Sequence, residues 1–112
     1  YGESERSFRR VRANVAGRVR MAGDGFEPLT TATVGEGGIA FRTSTPLPVH
    51  AAAEVRLALP DGSTEIRAIG EIVRVGPGAD GAHESVLQIL HIAPNDRNAL
   101  SAFVAGRPTD AH

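Results

Sequence analysis

The chain has 112 residues, 41% of them hydrophobic, with 12 basic residues (all Arg), 13 acidic ones, no Cys and a formal net charge of −1. That is the size and apolar content of one domain with one core, and the missing cysteine excludes a disulfide framework and thiolate chemistry. No apolar run approaches the roughly 18 residues of a membrane span and no signal-peptide core follows the basic start, so a cytoplasmic setting is expected.

Residues 1–13 read as a flexible Arg-rich arm. Arg6, Arg9, Arg10, Arg12, Arg18 and Arg20 stand against only Glu3 and Glu5 in the first twenty residues, while the remainder is net acidic. A guanidinium patch concentrated in a near-neutral chain points to a local anionic ligand, because a nucleic-acid surface spreads its basic charge more widely. The opening Tyr1 implies a longer native chain.

Residues 14–21 alternate, with Val15, Gly17, Val19 and Met21 on one face and Asn14, Ala16, Arg18 and Arg20 on the other, which predicts a half-buried strand. Gly23-Asp24-Gly25 predicts a hairpin turn, and the Thr-rich residues 26–34 the returning strand. Glycines 35, 37 and 38 break that strand, and Ile39 and Phe41 resume the alternation. Pro46 and Pro48 mark a loop, residues 54–59 alternate again, and Pro60-Asp61-Gly62 is a turn. Residues 64–75 are long for one strand, and their period slips near Gly70, as a bulge would make it do. After a loop at 76–81, residues 85–92 predict a last strand. Pro94 then suits a first helical position, Leu100, Phe103 and Val104 recur at helical spacing, and Gly106 with Pro108 stops the run. Six short strands and a terminal helix predict a small antiparallel barrel with an aliphatic core, the helix covering one opening.

Two stretches carry candidate chemistry. Arg6 and Arg10, four apart with Arg9 between them, can close on one anion, since guanidinium forks match phosphate oxygens and the acceptor edge of guanine. On spacing alone a solvated basic tail is the better description of them. Glycines 35, 37 and 38, entering a strand after Thr33, let a backbone approach a ligand or simply turn sharply. Arg74 is a weaker candidate for flanking such a site. His50, His83, His91 and His112 lack metal-ligand spacing, so no metal is expected. No serine sits in a nucleophile elbow, and the glycines lack the Lys-Ser/Thr of a phosphate-binding loop, so no enzyme is expected.

Taken in order, these features resemble the PilZ family of cyclic di-GMP receptors. That family opens with Arg-x-x-x-Arg before strand one and carries Asp/Asn-x-Ser-x-x-Gly between strands two and three. It ends in a helix after a Ser-Pro-Glu-Asp-like start. Arg6 and Arg10 fit the first motif, Gly-Glu-Gly-Gly-Ile-Ala-Phe at 35–41 resembles the second, and residues 70–74 and 93–97 match the late strand and the helix start. The resemblance implies a mainly β fold, a six-stranded antiparallel PilZ-type β-barrel with a C-terminal α-helix over residues 14–106, followed by a disordered tail at 107–112.

For function, the resemblance implies a non-enzymatic bacterial receptor with cyclic di-GMP as ligand and no other cofactor. Arg6 and Arg10, helped by Arg9, would engage phosphate and guanine, and Thr33, Gly35 and Gly38 would form the opposing wall. Binding would order the arm and signal to a protein partner or a fused domain; DNA, RNA and membrane insertion are not expected. One departure opens an alternative. Thr33 stands where the family has Asp or Asn and Gly35 where it has Ser, and only Gly38 is kept. Losing one good base-edge contact costs about 1–3 kcal/mol, a factor of roughly 5 to 150 in affinity. A degenerate domain that binds no nucleotide and acts as a protein-interaction module therefore stays open beside the receptor, and the oligomeric state is open in both.

Overall fold

The structure, a computed structural model, describes residues 10–59, 65–78 and 81–106. Seven strands run in chain order: β1 (Arg10–Arg12), β2 (Ala16–Met21), β3 (Glu27–Gly35), β4 (Gly38–Thr43), β5 (Ala52–Ala58), β6 (Glu65–Pro77) and β7 (His83–Ile92), followed by helix α1 (Pro94–Ala105). All pairings are antiparallel. β3 pairs with β4 on one edge and with both β1 and β2 on the other, so β1 and β2 are two halves of one interrupted stave. Counting them together, the ring β2–β3–β4–β7–β6–β5 closes back on β2 as a six-stranded barrel, and closure removes the exposed edges that an open sheet would leave. Among the described residues no helix is long and apolar enough to cross a membrane.

The sheet starts earlier than the Asn14 boundary expected from periodicity. Arg10–Arg12 pair with residues 33–35 of β3, and Val11 is fully buried between two exposed arginines. Residues 10–13 of the expected arm are therefore part of the barrel. Residues 1–9 and the expected tail at 107–112 lie outside the described residues.

The interruption between β1 and β2 is held by one side chain. Thr31 is fully buried; its hydroxyl donates to the Ala13 carbonyl and accepts from the Val15 amide at 2.7 Å. The Thr31 amide in turn donates to the Val15 carbonyl at 3.0 Å. The ladder of β3 slips between Thr31 and Thr33 on its β4 edge, so Thr31 points inward and Thr33 lies two residues on without keeping the same register.

Inside the ring the residues alternate as a two-residue period requires. Val19, Val55 and Ala68 form one inward row across β2, β5 and β6, each almost completely buried, with Arg18, Arg56 and Arg67 as the neighbouring outward row. Phe41 is the one aromatic among the largest fully buried side chains, and the rest are Ile, Leu and Val. Each such aliphatic side chain contributes about 1.5–3 kcal/mol by leaving water. Helix α1 begins with Pro94 at its start and Asp96 in its first turn, and it presses Leu100 and Val104 into the core. The Asp96 carboxylate also accepts from the Arg67 amide at 3.3 Å, tying the helix start to β6. The bulge expected at Gly70 is present: the β6–β7 register shifts between Ile69 and Gly70. A Cβ on Gly70 would sit 1.9 Å from the Gln88 carbonyl oxygen, so the β7 backbone crosses where only glycine fits.

Three of the outward arginines, Arg20, Arg56 and Arg67, share one carboxylate. Glu54, only 8% exposed, accepts from Arg56 Nε and Arg67 Nε at 2.8 Å each and from Arg20 at 2.9 Å. The Arg56 hydrogen bond, aided by Arg20 and Arg67 and opposed by burial, lowers the Glu54 pKa from 4.5 to about 2. Like charges side by side on adjacent strands repel, and this carboxylate offsets that repulsion.

Two outcomes follow. Thr31→Val keeps the shape but leaves the Val15 amide and Ala13 carbonyl buried without that partner, and urea denaturation is expected to show a loss of about 2–6 kcal/mol, about 1–3 for each group. Because the folded-state pKa of Glu54 lies below its unfolded value, its contribution is complete above pH 4.5 and disappears as pH falls toward 2. Glu54→Gln is therefore expected to be less stable than the parent at pH 7, with the two denaturation curves converging near pH 2.

Candidate functional site

β3 ends at Gly35 and β4 begins at Gly38, so the turn between them consists of Glu36 and Gly37. It is flanked on both sides. On one side β1 runs antiparallel to the end of β3, setting Arg10 opposite Gly35, Val11 opposite Val34 and Arg12 opposite Thr33. On the other side β7 sets Gln88 opposite Gly38, and the Ile89 amide donates to the Gly37 carbonyl at 3.0 Å. Directly opposed residues on antiparallel strands lie about 4.5–5.5 Å apart at Cα and share a face. Arg10 and Arg12 are thus brought onto the outer face beside Gly35 and Thr33.

Of the residues singled out in the sequence, Arg10, Thr33, Gly35 and Gly38 come together at this end of the barrel. Arg6 and Arg9 lie outside the described residues. Arg74 does not join the group. It is opposite Val86, which is opposite Ala40, which is opposite Thr33, so it stands three strands away. At about 4.8 Å per strand that is roughly 14 Å of sheet.

Each assembled residue has a local reason for its place. Val11 anchors β1 by full burial, and its neighbours Arg10 and Arg12 must then point out. Gly38 is sterically constrained, since a Cβ there would lie 3.0 Å from the Leu87 carbonyl oxygen. The barrel thus favours a glycine here whether or not anything binds. The Thr33 hydroxyl is buried and has no hydrogen-bond partner among the described residues. An unpaired buried hydroxyl costs free energy that a ligand group can recover.

Two further residues stand at the site without a periodicity signal strong enough to mark them. Arg12 faces Thr33, and the Arg-Val-Arg alternation of residues 10–12 was its signal, too short to separate from the basic string around it. Gln88 faces Gly38 and carries an exposed amide that both donates and accepts; nothing in the sequence marks it. Chemically the site offers guanidinium donors, a glycine backbone and an amide, with the Glu36 carboxylate in the turn as the opposing charge. This is equipment for holding a polar anion. Among the described residues there is no group of three or more His, Cys, Asp or Glu side chains that could hold a metal ion.

The PilZ domain family matches residues 4–106, nearly the whole chain. The chain belongs to the PilZ domain family. PilZ domains are cyclic di-GMP receptor and adaptor domains. No match was found among curated proteins. Two solved structures share the fold. The inhibitor of motility MotI/DgrA of Bacillus subtilis superposes with a TM-score of 0.77 at 15% identity, covering 88% of this chain and 49% of its own. The PilZ domain of YcgR from Escherichia coli, solved with c-di-GMP, superposes with a TM-score of 0.69 at 9% identity and 88% coverage of both chains. This chain therefore spans about half the length of MotI/DgrA. At these identities the likeness concerns the fold, and the PilZ residue pattern must be read in this chain's own side chains.

Proposed function

We propose that this PilZ domain is a bacterial cytoplasmic receptor that binds cyclic di-GMP between its Arg-rich leading segment and the β3–β4 turn. The observation that carries the reading is the pairing of Arg10 with Gly35, which joins the end of the Arg-x-x-x-Arg motif to the glycine-rich turn. Arg10, with Arg6 and Arg9 before it, supplies guanidinium forks to the phosphates and to the guanine acceptor edge. Thr33, Gly35 and Gly38 form the facing wall. Closing over a dianion fixes the residues before Arg10 against the barrel and changes the surface shown to a protein partner or to a fused domain. That YcgR's PilZ domain was solved with c-di-GMP supports the ligand class.

A second reading rests on a specific observation. Where the PilZ pattern has Asp or Asn and Ser, this chain has Thr33 and Gly35, so a carboxylate or amide and a hydroxyl are missing from the wall. In that reading the domain has kept the barrel, lost the nucleotide and serves as a protein-interaction module.

Calorimetric titration separates the two. The receptor reading expects saturable binding of cyclic di-GMP by the parent, weakened roughly 5- to 150-fold by Arg10→Ala. A flat titration at ligand concentrations up to about 100 μM, an affinity limit near −5 kcal/mol, favours the adaptor reading. The damaged motif is tested by repair. The double variant Thr33→Asp/Gly35→Ser is expected to bind about 5-fold tighter or better, because it restores a base-edge acceptor; unchanged affinity would show that these two positions do not face the nucleotide.

A further inference from the structure

The outer wall of β2, β5 and β6 holds a second set of arginines that the β3–β4 turn does not use. Pairing places Arg18, Arg56 and Arg67 side by side across the three strands, with Arg20 opposite Glu54 in the next outward row. Beyond Glu54, the second carboxylate of this wall is Glu65, 3.4 Å from Arg18 and 4.0 Å from Arg56. Four guanidinium groups against these two carboxylates leave a surplus of positive charge. Asp96 trims that surplus only at the Arg67 edge, where it bonds the backbone amide.

These arginines are also held in place. The guanidinium carbons of Arg18, Arg20 and Arg56 lie 4.7, 4.8 and 5.1 Å from the centroid of one ring, Phe26. Stacking on the ring and bonding to Glu54 or Glu65 fixes side chains that are otherwise rich in rotamers, so most of their ordering cost is met before any partner arrives. Each guanidinium carries five N–H donors, and the bonds to Glu54 and Glu65 use few of them. Arg18, Arg20 and Arg67 side chains remain 45%, 43% and 54% exposed, so the unused donors have access to a partner. The wall runs into an open cleft of about 420 Å³ that shares Arg20 and Glu54 and is otherwise lined in part by Met21, Ala52, Ala53 and Ile69.

We propose that this wall docks the acidic face of an α-helix from a protein partner, with an apolar residue at the helix border entering the cleft beside Met21 and Ile69. The spacing supports a helix: adjacent strands stand about 4.8 Å apart, and acidic residues three or four apart on a helix stand about 5–6 Å apart. A helix lying across the strands thus meets one arginine per turn. The charge pattern favours protein over a continuous polyanion, because Glu54 and Glu65 interleave with the arginines and repel an unbroken row of phosphates.

The test uses the intact chain and a fluorescent Ala-based helical peptide of about 20 residues, long enough to hold helix in water, with Glu at every fourth position and Leu along one border. A matched peptide with Gln for Glu, a single-stranded oligonucleotide and phosphatidylglycerol vesicles are run beside it. The proposal expects saturable anisotropy with the Glu peptide only, lowered about tenfold by Arg18→Glu and lowered less, in the same direction, by Arg18→Gln. Arg74→Glu, an equal charge change elsewhere on β6, leaves it unchanged. Absence of binding, equal binding of the Gln peptide, an equal loss with Arg74→Glu, or tighter binding of the oligonucleotide or vesicles would each overturn it. Melting curves confirm that each variant is folded, and Arg18→Gln carries the test if Arg18→Glu is not.

Discussion

The Thr31 hydroxyl, bonded at once to the Ala13 carbonyl and the Val15 amide, is the contact on which the site's geometry depends. A chain that passes through a fully buried position without a ladder bond must find partners for its amide and carbonyl, or lose about 1–3 kcal/mol for each. Here one side chain supplies both. The stave can then break between β1 and β2 while both halves stay on the same edge of β3. The consequence appears a few residues earlier, where Val11 enters the core and Arg10 is set beside Gly35. An internal hydrogen bond thereby aims a surface arginine.

The chain's near-zero net charge conceals two separate sets of arginine. One stands at the start of the barrel beside the β3–β4 turn, which carries Glu36. The other lies on the β2–β5–β6 wall, bound to Glu54 and Glu65 and stacked on Phe26. Their environments differ in kind. Glu54, held by Arg56, Arg20 and Arg67, stays ionised far into acid and fixes its partners, so the wall is rigid by construction. Arg10 and Arg12, by contrast, are placed by strand pairing.

Much of the architecture was legible because burial imposes a two-residue period. Val15, Val19, Leu57, Leu59, Ile66 and Leu87 were each readable as inward, and the slip at Gly70 announced a bulge that the Gln88 carbonyl makes obligatory. Pro94, which suits a first helical position, and the helical spacing of Leu100, Phe103 and Val104 marked the helix. β1 was not legible. It is three residues long with one apolar side chain, too short to show a period inside an arginine string. The inward turn of Thr31 was hidden as well, since a buried threonine is stable only through the two backbone groups that the fold brings to it. Arg18, Arg56 and Arg67 each read as an ordinary outward residue, and their meeting at Glu54 and Glu65 depends on long-range register, which no local pattern encodes. The positions matching the PilZ motifs were legible by likeness alone; what the fold adds is that Arg10 and Gly35 are opposed across one ladder.

The proposed site for cyclic di-GMP is where β1 meets the β3–β4 turn. Amide chemical shifts recorded during a cyclic di-GMP titration of the isotopically labelled chain test it most directly. The account predicts saturating shifts concentrated at Arg10, Arg12, Thr33, Gly35, Gly38 and Gln88, with Arg18, Arg56 and Arg67 little changed. Shifts confined to the β2–β5–β6 wall, or a spectrum that the nucleotide does not move, would contradict it.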